Sequence, residues 1–275
     1  MNTGGRPIKL ETRRVEKPWG RTELPPAFGA TSGERFGEIW FAGEDAANLP
    51  LLLKYIFTSE RLSIQVHPND EQARALGLPH GKNECWYILD AEPGAVLGLG
   101  LKAPANRETL RQAALDGSIE QLIHWRPVKA ADVIYVPAGT IHAIGAGISL
   151  LEVQQNIDVT YRLYDYGRPR ELHLDDGMKV AKPLPYPDEF ASQAAEPGDR
   201  VLVSMPHFTL LRCSHSGGEA GRLSGRDRWA VPISGSVRSD GIAARTGECL
   251  FLPAGAALEV SADSELLLAA PGPLT

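Results

Sequence analysis

The feature that most constrains the fold of this chain is a phrase that occurs twice. "VIYVPAGTIHAI" (133–144) returns as "CLFLPAGAALEV" (249–260), with Pro137 over Pro253 and Gly139 over Gly255. Each copy is an apolar run, a Pro-x-Gly turn and a second apolar run, which is the pattern of two short strands around a tight turn. Upstream, "CWYILDAEPGAV" resembles "WAVPISGSV" in the same order. Similarity at this spacing predicts two copies of one β-module.

The rest of the chain agrees with that reading. Strand-like runs include "GEIWFAG", "LLLKYIFT", "LSIQVH", "CWYILD", "AVLGLG", "DVIYVP", "ISLLEVQQ" and "TYRLYDYG". They continue in the last third as "VLVSMPHFTLLRCS", "WAVPISGSVRS", "ECLFLPAG" and "SELLLAAP". The 28 glycines and 21 prolines are spread between the runs, as turns between many short strands require. A mainly β chain of the sandwich or barrel kind is expected. One segment breaks the pattern: in 106–125, Leu110, Ala113, Ala114, Ile119, Leu122 and Ile123 fall at helical spacing. Asp116–Gly117 is expected to split that helix in two. The Pro-, Ala- and acid-rich "LPYPDEFASQAAEPGD" (184–199) reads as a linker. The expected organisation is a first module over 1–183, with a helical insertion over about 104–126, and a second over 200–275.

Bulk properties exclude several classes. Of 275 residues, 43% are hydrophobic and 23% charged, ordinary for a globular protein. A net charge of −6 without a basic cluster argues against nucleic acid, and no apolar run reaches the length of a membrane span. Cys85, Cys213 and Cys249 are scattered and odd in number, neither a disulfide framework nor a CxxC motif. A reducing cytoplasm is the expected setting, and the N-terminus lacks the apolar core of a signal peptide.

The two copies differ in their chemistry. In "LSIQVHPND" (62–70), Ile64 and Val66 point one way while Ser63, Gln65 and His67 share the other face. Glu84 opens the next strand-like run, and His142 follows the Pro137–Gly139 turn. Two imidazoles, a carboxylate and an amide oxygen, with water completing the shell, suit Zn²⁺ in an open catalytic site. Mn²⁺, Fe²⁺ or Co²⁺ would also accept these ligands. A histidine on its own is more often a packed or surface residue; two residues on one strand face together with a PxGxxH turn make the stronger case. In the second copy, Leu258 falls opposite His142, and Asp227 or Arg228 falls opposite Glu84. That copy keeps the turn and loses the ligands.

"QVHPND", "GKNECWYILD", "VPAGTIHAIGAG" and "LLEVQQNIDVTYRLYDYGR" resemble the type I mannose-6-phosphate isomerases, zinc-dependent members of the cupin superfamily. "VEKPWG" and "GEIWFAG" are similar to that family's opening strands. The likeness is dense from Val15 to about Arg168 and looser beyond. It implies two cupin (jelly-roll β-barrel) modules, the first holding metal through Gln65, His67, Glu84 and His142, the second holding none. It implies a catalytic arginine at Arg162, an active-site lysine at Lys82 that binds substrate or serves as base, and a phosphate contact at Ser63. On the residues alone, Arg162 would be read as a surface partner of Asp165 or Asp158. The implied activity is interconversion of mannose 6-phosphate and fructose 6-phosphate through a cis-enediol, with no nucleic-acid or membrane partner. Another metal-cupin sugar enzyme, or a non-catalytic sugar-binding regulatory cupin, are the alternatives. One departure stands out: the family's glycine six residues before Pro137 is Ala131 here, whereas the silent copy keeps Gly247.

Overall fold

Each apolar run read as a strand contains one in the computed structural model, which describes residues 5–29, 33–193, 198–215 and 218–274. The first half supplies two sheets. A seven-stranded sheet runs Ala191–Gln193, Asp132–Val136, Glu84–Ala91, Ile148–Gln155, Leu51–Phe57, Phe36–Ala42, Glu11–Arg21 in spatial order. A five-stranded sheet runs Tyr161–Tyr164, Ile64–Val66, His142–Ile144, Val96–Leu101, Ile123–Pro127. The second half adds a six-stranded and a three-stranded sheet, so the chain is mainly β.

The central strands of the seven-stranded sheet are covered on both faces. Every residue of Leu51–Phe57 and of Ile148–Gln155 is buried. On one face Trp86, Ile88, Ile134 and Leu150 pack with Leu97, Leu99 and Ile144 of the five-stranded sheet. On the other, Tyr55, Phe57, Leu151 and Val153 share a core with Phe208, Trp229 and Leu267 of the second half. Coverage on both sides is why "LLLKYIF" is nearly continuous in hydrophobicity instead of alternating.

The repeat is visible in the backbone. Gly139 and Gly255 have φ of 87° and 82°, the left-handed region that the shared turn demands of both copies. Ala131 and Gly247 also match, with φ of 66° and 90°, so the alanine occupies a conformation that suits glycine. The register removes one ambiguity. Glu84 pairs with Val136 and Arg228 with Leu252, positions equivalent in the repeat, so Arg228 and not Asp227 lies where Glu84 does.

Three features differ from expectation. The helical segment is capped at Asn106, whose side chain accepts from Thr109 N at 2.7 Å, and ends at Gly117 with φ of 83°. A short helix Ile119–Leu122 follows, as the Asp116–Gly117 break predicted, but residues 123–125 are extended and pair with Val96–Leu101. Sheet pairing there outweighs the weak helix preferences of Ile, His and Trp. Much of segment 184–199 is built into the first module: Tyr186 is buried and donates its hydroxyl to Tyr135 O at 2.7 Å, and Ala191–Gln193 forms an edge strand against Asp132–Val136. Residues 194–197 of that segment lie outside the described residues. Finally, Ile8–Lys9 crosses to pair with Leu250–Leu252, so the first strand of the chain belongs to the second module's sheet. No helix among the described residues is long and apolar enough to cross a membrane.

Candidate metal centre

Strand register gathers the site. In the five-stranded sheet Gln65 is flanked by His142 on one side and Arg162 on the other. His67 leaves the same strand one turn of the pleat later, on the face of Gln65. Glu84, first residue of its strand in the facing sheet, reaches both histidines. Its Oε2 lies 3.4 Å from His67 Nε2 and its Oε1 3.3 Å from His142 Nε2. One ligand atom from each of these three residues lies within 4.8 Å of the others, and all three side chains are buried.

The surroundings prepare these groups for a cation. His142 Nδ1 sits 2.9 Å from Thr140 O, which fixes the proton on Nδ1 and turns the Nε2 lone pair inward. Burial pushes the His67 imidazole down to about 3, with the Lys82 charge adding to the effect, and burial likewise lowers His142. Both rings are therefore neutral, the form that binds metal. Burial would raise the Glu84 carboxyl, but the Lys82 charge outweighs it and holds it well below the usual range. Neither Glu84 oxygen has a well-angled hydrogen bond among the described residues, and the Lys82 ammonium 2.6 Å from Oε2 is its cationic partner. The Gln65 amide places Nε2 3.2 Å from His142 Nε2 and accepts from Ser63 Oγ at Oε1, 3.3 Å away. A half-turn of that amide exchanges its two ends and presents the oxygen to the cluster. The donor set fits a divalent metal of the zinc type.

A cavity of about 290 Å³ adjoins the cluster, and Ser63, Gln65, Lys82 and Arg162 all line it. Lys82 joins the two: its Nζ is 2.6 Å from Glu84 Oε2 and 3.2 Å from His67 Nε2. The strand starts at Glu84, so Lys82 reaches this face from just outside it. Arg162 does not form the surface ion pair that its neighbours suggested. Asp165 binds Arg170 at 2.6 and 2.7 Å, while Arg162 Nη1 donates to Glu171 O at 2.7 Å.

Sequence reasoning missed the remaining wall. Lys54 Nζ lies 3.0 Å from Glu152 Oε1 and 3.9 Å from Glu38 Oε1, and all three side chains are buried. Trp86 Nε1 donates to Glu152 and Trp40 Nε1 to Glu38, at 2.9 and 2.7 Å. Burial would lower the Lys54 ammonium, but Glu152 and Glu38 outweigh it and hold it charged. The signal was a single charge inside each of two strand-like runs, the otherwise apolar "LLLKYIF" and the mostly apolar "ISLLEV" of "ISLLEVQQ". Such a charge persists in a core only when it is paired.

Comparison with known proteins places this geometry. The family described as phosphomannose isomerase type I, catalytic domain, matches residues 28–99. A mannose-6-phosphate isomerase from Streptococcus mutans is 34% identical over 254 residues, covering 77% of this chain and 79% of the relative. The chain belongs to the type I phosphomannose isomerase family. Within that family, the crystal structure of the mannose 6-phosphate isomerase from Bacillus subtilis superposes with a TM-score of 0.81 at 26% identity, covering 96% of this chain and 99% of the other. A mannose 6-phosphate isomerase bound with zinc and yttrium shares the fold at a TM-score of 0.70 and 15% identity, covering 98% of this chain and 100% of the other.

Proposed function

We propose that the chain interconverts D-mannose 6-phosphate and D-fructose 6-phosphate as a metal-dependent aldose–ketose isomerase. The observation that carries this reading is the meeting of His67, Glu84 and His142 beside a cavity lined by Ser63, Gln65, Lys82 and Arg162. Gln65, His67, Glu84 and His142 would hold one Zn²⁺, which supplies Lewis acidity toward the sugar oxygens and brings no redox chemistry. The cavity's charge suits a sugar phosphate. Five cationic side chains (Lys17, Lys54, Lys82, Arg162, Arg170) and three carboxylates (Glu38, Glu152, Asp158) line it; Lys82 and Arg170 also pair with Glu84 and Asp165, while Arg162 donates to a backbone carbonyl and keeps its charge available to an anion.

The reaction moves a proton between C2 and C1 of the open-chain sugar through a cis-enediol. Arg162, a permanent cation on the cavity wall, stabilises the negative charge that develops on the sugar oxygens; one such preorganised group typically removes roughly 3–4 kcal/mol of barrier. Lys82, at the junction of cluster and cavity, donates to a substrate oxygen or carries the transferred proton. Ser63, buried and beside Gln65, is the candidate phosphate contact. The division of labour is part of the same proposal: 1–183 carries the site, and 200–275 is a metal-free copy. So is a reducing cytoplasmic setting, supported by Cys85, Cys213 and Cys249, all buried free thiols.

The test is a coupled assay for fructose 6-phosphate formed from mannose 6-phosphate by zinc-loaded protein. A chelator-treated control and a glucose 6-phosphate comparison run alongside. Metal-dependent turnover of the mannose ester is expected. Absence of turnover by protein that retains zinc would overturn the reading in favour of a sugar-binding role.

A further inference from the structure

The polar side chains behind the metal centre form a continuous chain, buried at Asn83 and Gln155 and half-buried at Asp70. Asp70 Oδ1 accepts from Gly81 N at 2.9 Å and from Gln155 Nε2 at 3.0 Å. Gln155 Oε1 accepts twice from Asn83, from its backbone N at 2.9 Å and its Nδ2 at 2.8 Å. Asn83 Oδ1 accepts in turn from Ala138 N at 2.9 Å, inside the Pro-x-Gly turn that leads to His142. The ligand-bearing segments are also tied directly: Gly139 N donates to His67 O at 2.9 Å and Lys82 N to Pro68 O at 3.0 Å.

Asn83 lies between Lys82 and Glu84 in the sequence. Holding its backbone and its side chain at once fixes where Lys82 and Glu84 emerge toward the cavity. The repeat shows which part of this arrangement is general. In the silent copy Asp227 Oδ1 accepts from Ala254 N at 2.9 Å, so a side-chain clamp on the turn belongs to both modules. The extension does not. Cys85 pairs with Val153 and Trp229 with Ala269, which places Pro271 at the position of Gln155, and proline offers no side-chain amide. The clamp is thus extended through Gln155 to Asp70 only in the module that carries ligands. At its outer end, His207 of the second module approaches Asp70 Oδ2 with Nε2 at 3.6 Å.

Resting on the metal site assigned above, we propose that Gln155 and Asp70 are positioning residues for the metal centre, acting through Asn83, and that His207 secures their outer end from the metal-free module. Partners that orient ligand-bearing segments typically carry roughly 10–100-fold in metal affinity or activity. Gln155→Met keeps the length of the side chain and removes its three hydrogen bonds. Gln155→Glu keeps the acceptor that grips Asn83.

The experiment measures Zn²⁺ affinity by competition with a fluorescent chelator, kcat and KM for mannose 6-phosphate, and thermal unfolding of each full-length protein. Gln155→Met is expected to weaken zinc binding by at least about tenfold and to lower kcat, with KM within about twofold. Gln155→Glu is expected to recover only part of the affinity, because its second oxygen meets Asp70 Oδ1 where the amide donated. His207→Leu is expected to weaken zinc about two- to threefold, since a partly exposed contact at 3.6 Å contributes little. It also reads the chain from a side chain whose removal leaves the first module's hydrogen bonds intact should Gln155→Met not fold. Gln155→Met and His207→Leu proteins that melt earlier but bind zinc as the parent does would overturn the proposal, leaving the chain a stability feature. Parent protein that binds zinc without isomerising the sugar would instead overturn the function proposed above and leave this test intact.

Discussion

The two modules solve the same packing problem with opposite chemistry. At the end of one strand the first places Glu84, and at the matching point the second places Arg228, which is equally buried. Glu84 faces two neutral imidazoles and a lysine, with one ligand atom each of Glu84, His67 and His142 within 4.8 Å of one another. Arg228 brings its own cation and spends it on backbone carbonyls, donating to Ser224 O and Arg226 O at 3.2 Å and to Ala256 O at 2.5 Å. A guanidinium is always charged and carries five donors, so it closes the loops around it without help from a bound ion. The difference teaches that the two copies share a turn and a buried charged anchor at the strand end, while the sign of that anchor is reversed between them.

Substitutions can break or sharpen this contrast. His142→Ala carries the largest expected effect. Bound zinc, read by elemental analysis, and turnover should both fall by at least about 10³-fold in a folded protein, because a three-ligand remnant loses affinity and the Lewis acid with it. Retention of metal and activity by that variant would sink the ligand assignment. Arg162→Ala should leave zinc bound and lower kcat by roughly 10²–10³-fold. Steady-state kinetics beside metal analysis separates the two roles.

In the second copy the expected loss is of stability alone. Arg228→Met strands several buried carbonyls at about 1–3 kcal/mol each, partly relieved by relaxation, so urea unfolding should show roughly 2–4 kcal/mol lost. Activity per folded molecule should be unchanged; a drop in zinc affinity would blur the contrast between the copies. Acid should act mainly on the first module. His67 titrates near 6.5 when unfolded and at about 3 when folded and metal-free, because burial and Lys82 disfavour its charged form. The unfolded chain then binds the extra proton. The stability of metal-free protein is therefore complete above about pH 6.5 and falls toward pH 3, by roughly 1 kcal/mol per unit from this residue. Unfolding series at stepped pH would show it, and a flat profile would contradict the buried neutral ring.

The smallest effect concerns the position where the copies differ by a methyl group. Ala131 holds φ of 66°, so Ala131→Gly should stabilise by about 1 kcal/mol. The reverse change, Gly247→Ala, should destabilise, since its Cβ would come within 2.9 Å of Ala27 O as well as straining φ at 90°. Thermal unfolding of the pair decides whether the two turns are equivalent.

The sequence by itself determined the mainly β plan, the matched Pro-x-Gly turns, the helix break at Gly117 and the metal-ligand candidates. These are local facts: alternation along a strand, a Pro-x-Gly turn, and residue types in a fixed order need no knowledge of what lies across the sheet. Only the tertiary structure decided the rest. The Lys54–Glu38–Glu152 wall depends on which strands are neighbours and in what register, and a single strand does not display its register. Arg228 matches Glu84 only once both strands are paired. Segment 184–199 has the composition of a linker, yet Tyr186 and Ala191–Gln193 are held by the first module, because burial of one aromatic ring and pairing of a free sheet edge outweigh a preference for loop. Local chemistry named the residues that can bind a metal; long-range pairing chose the charges that surround them.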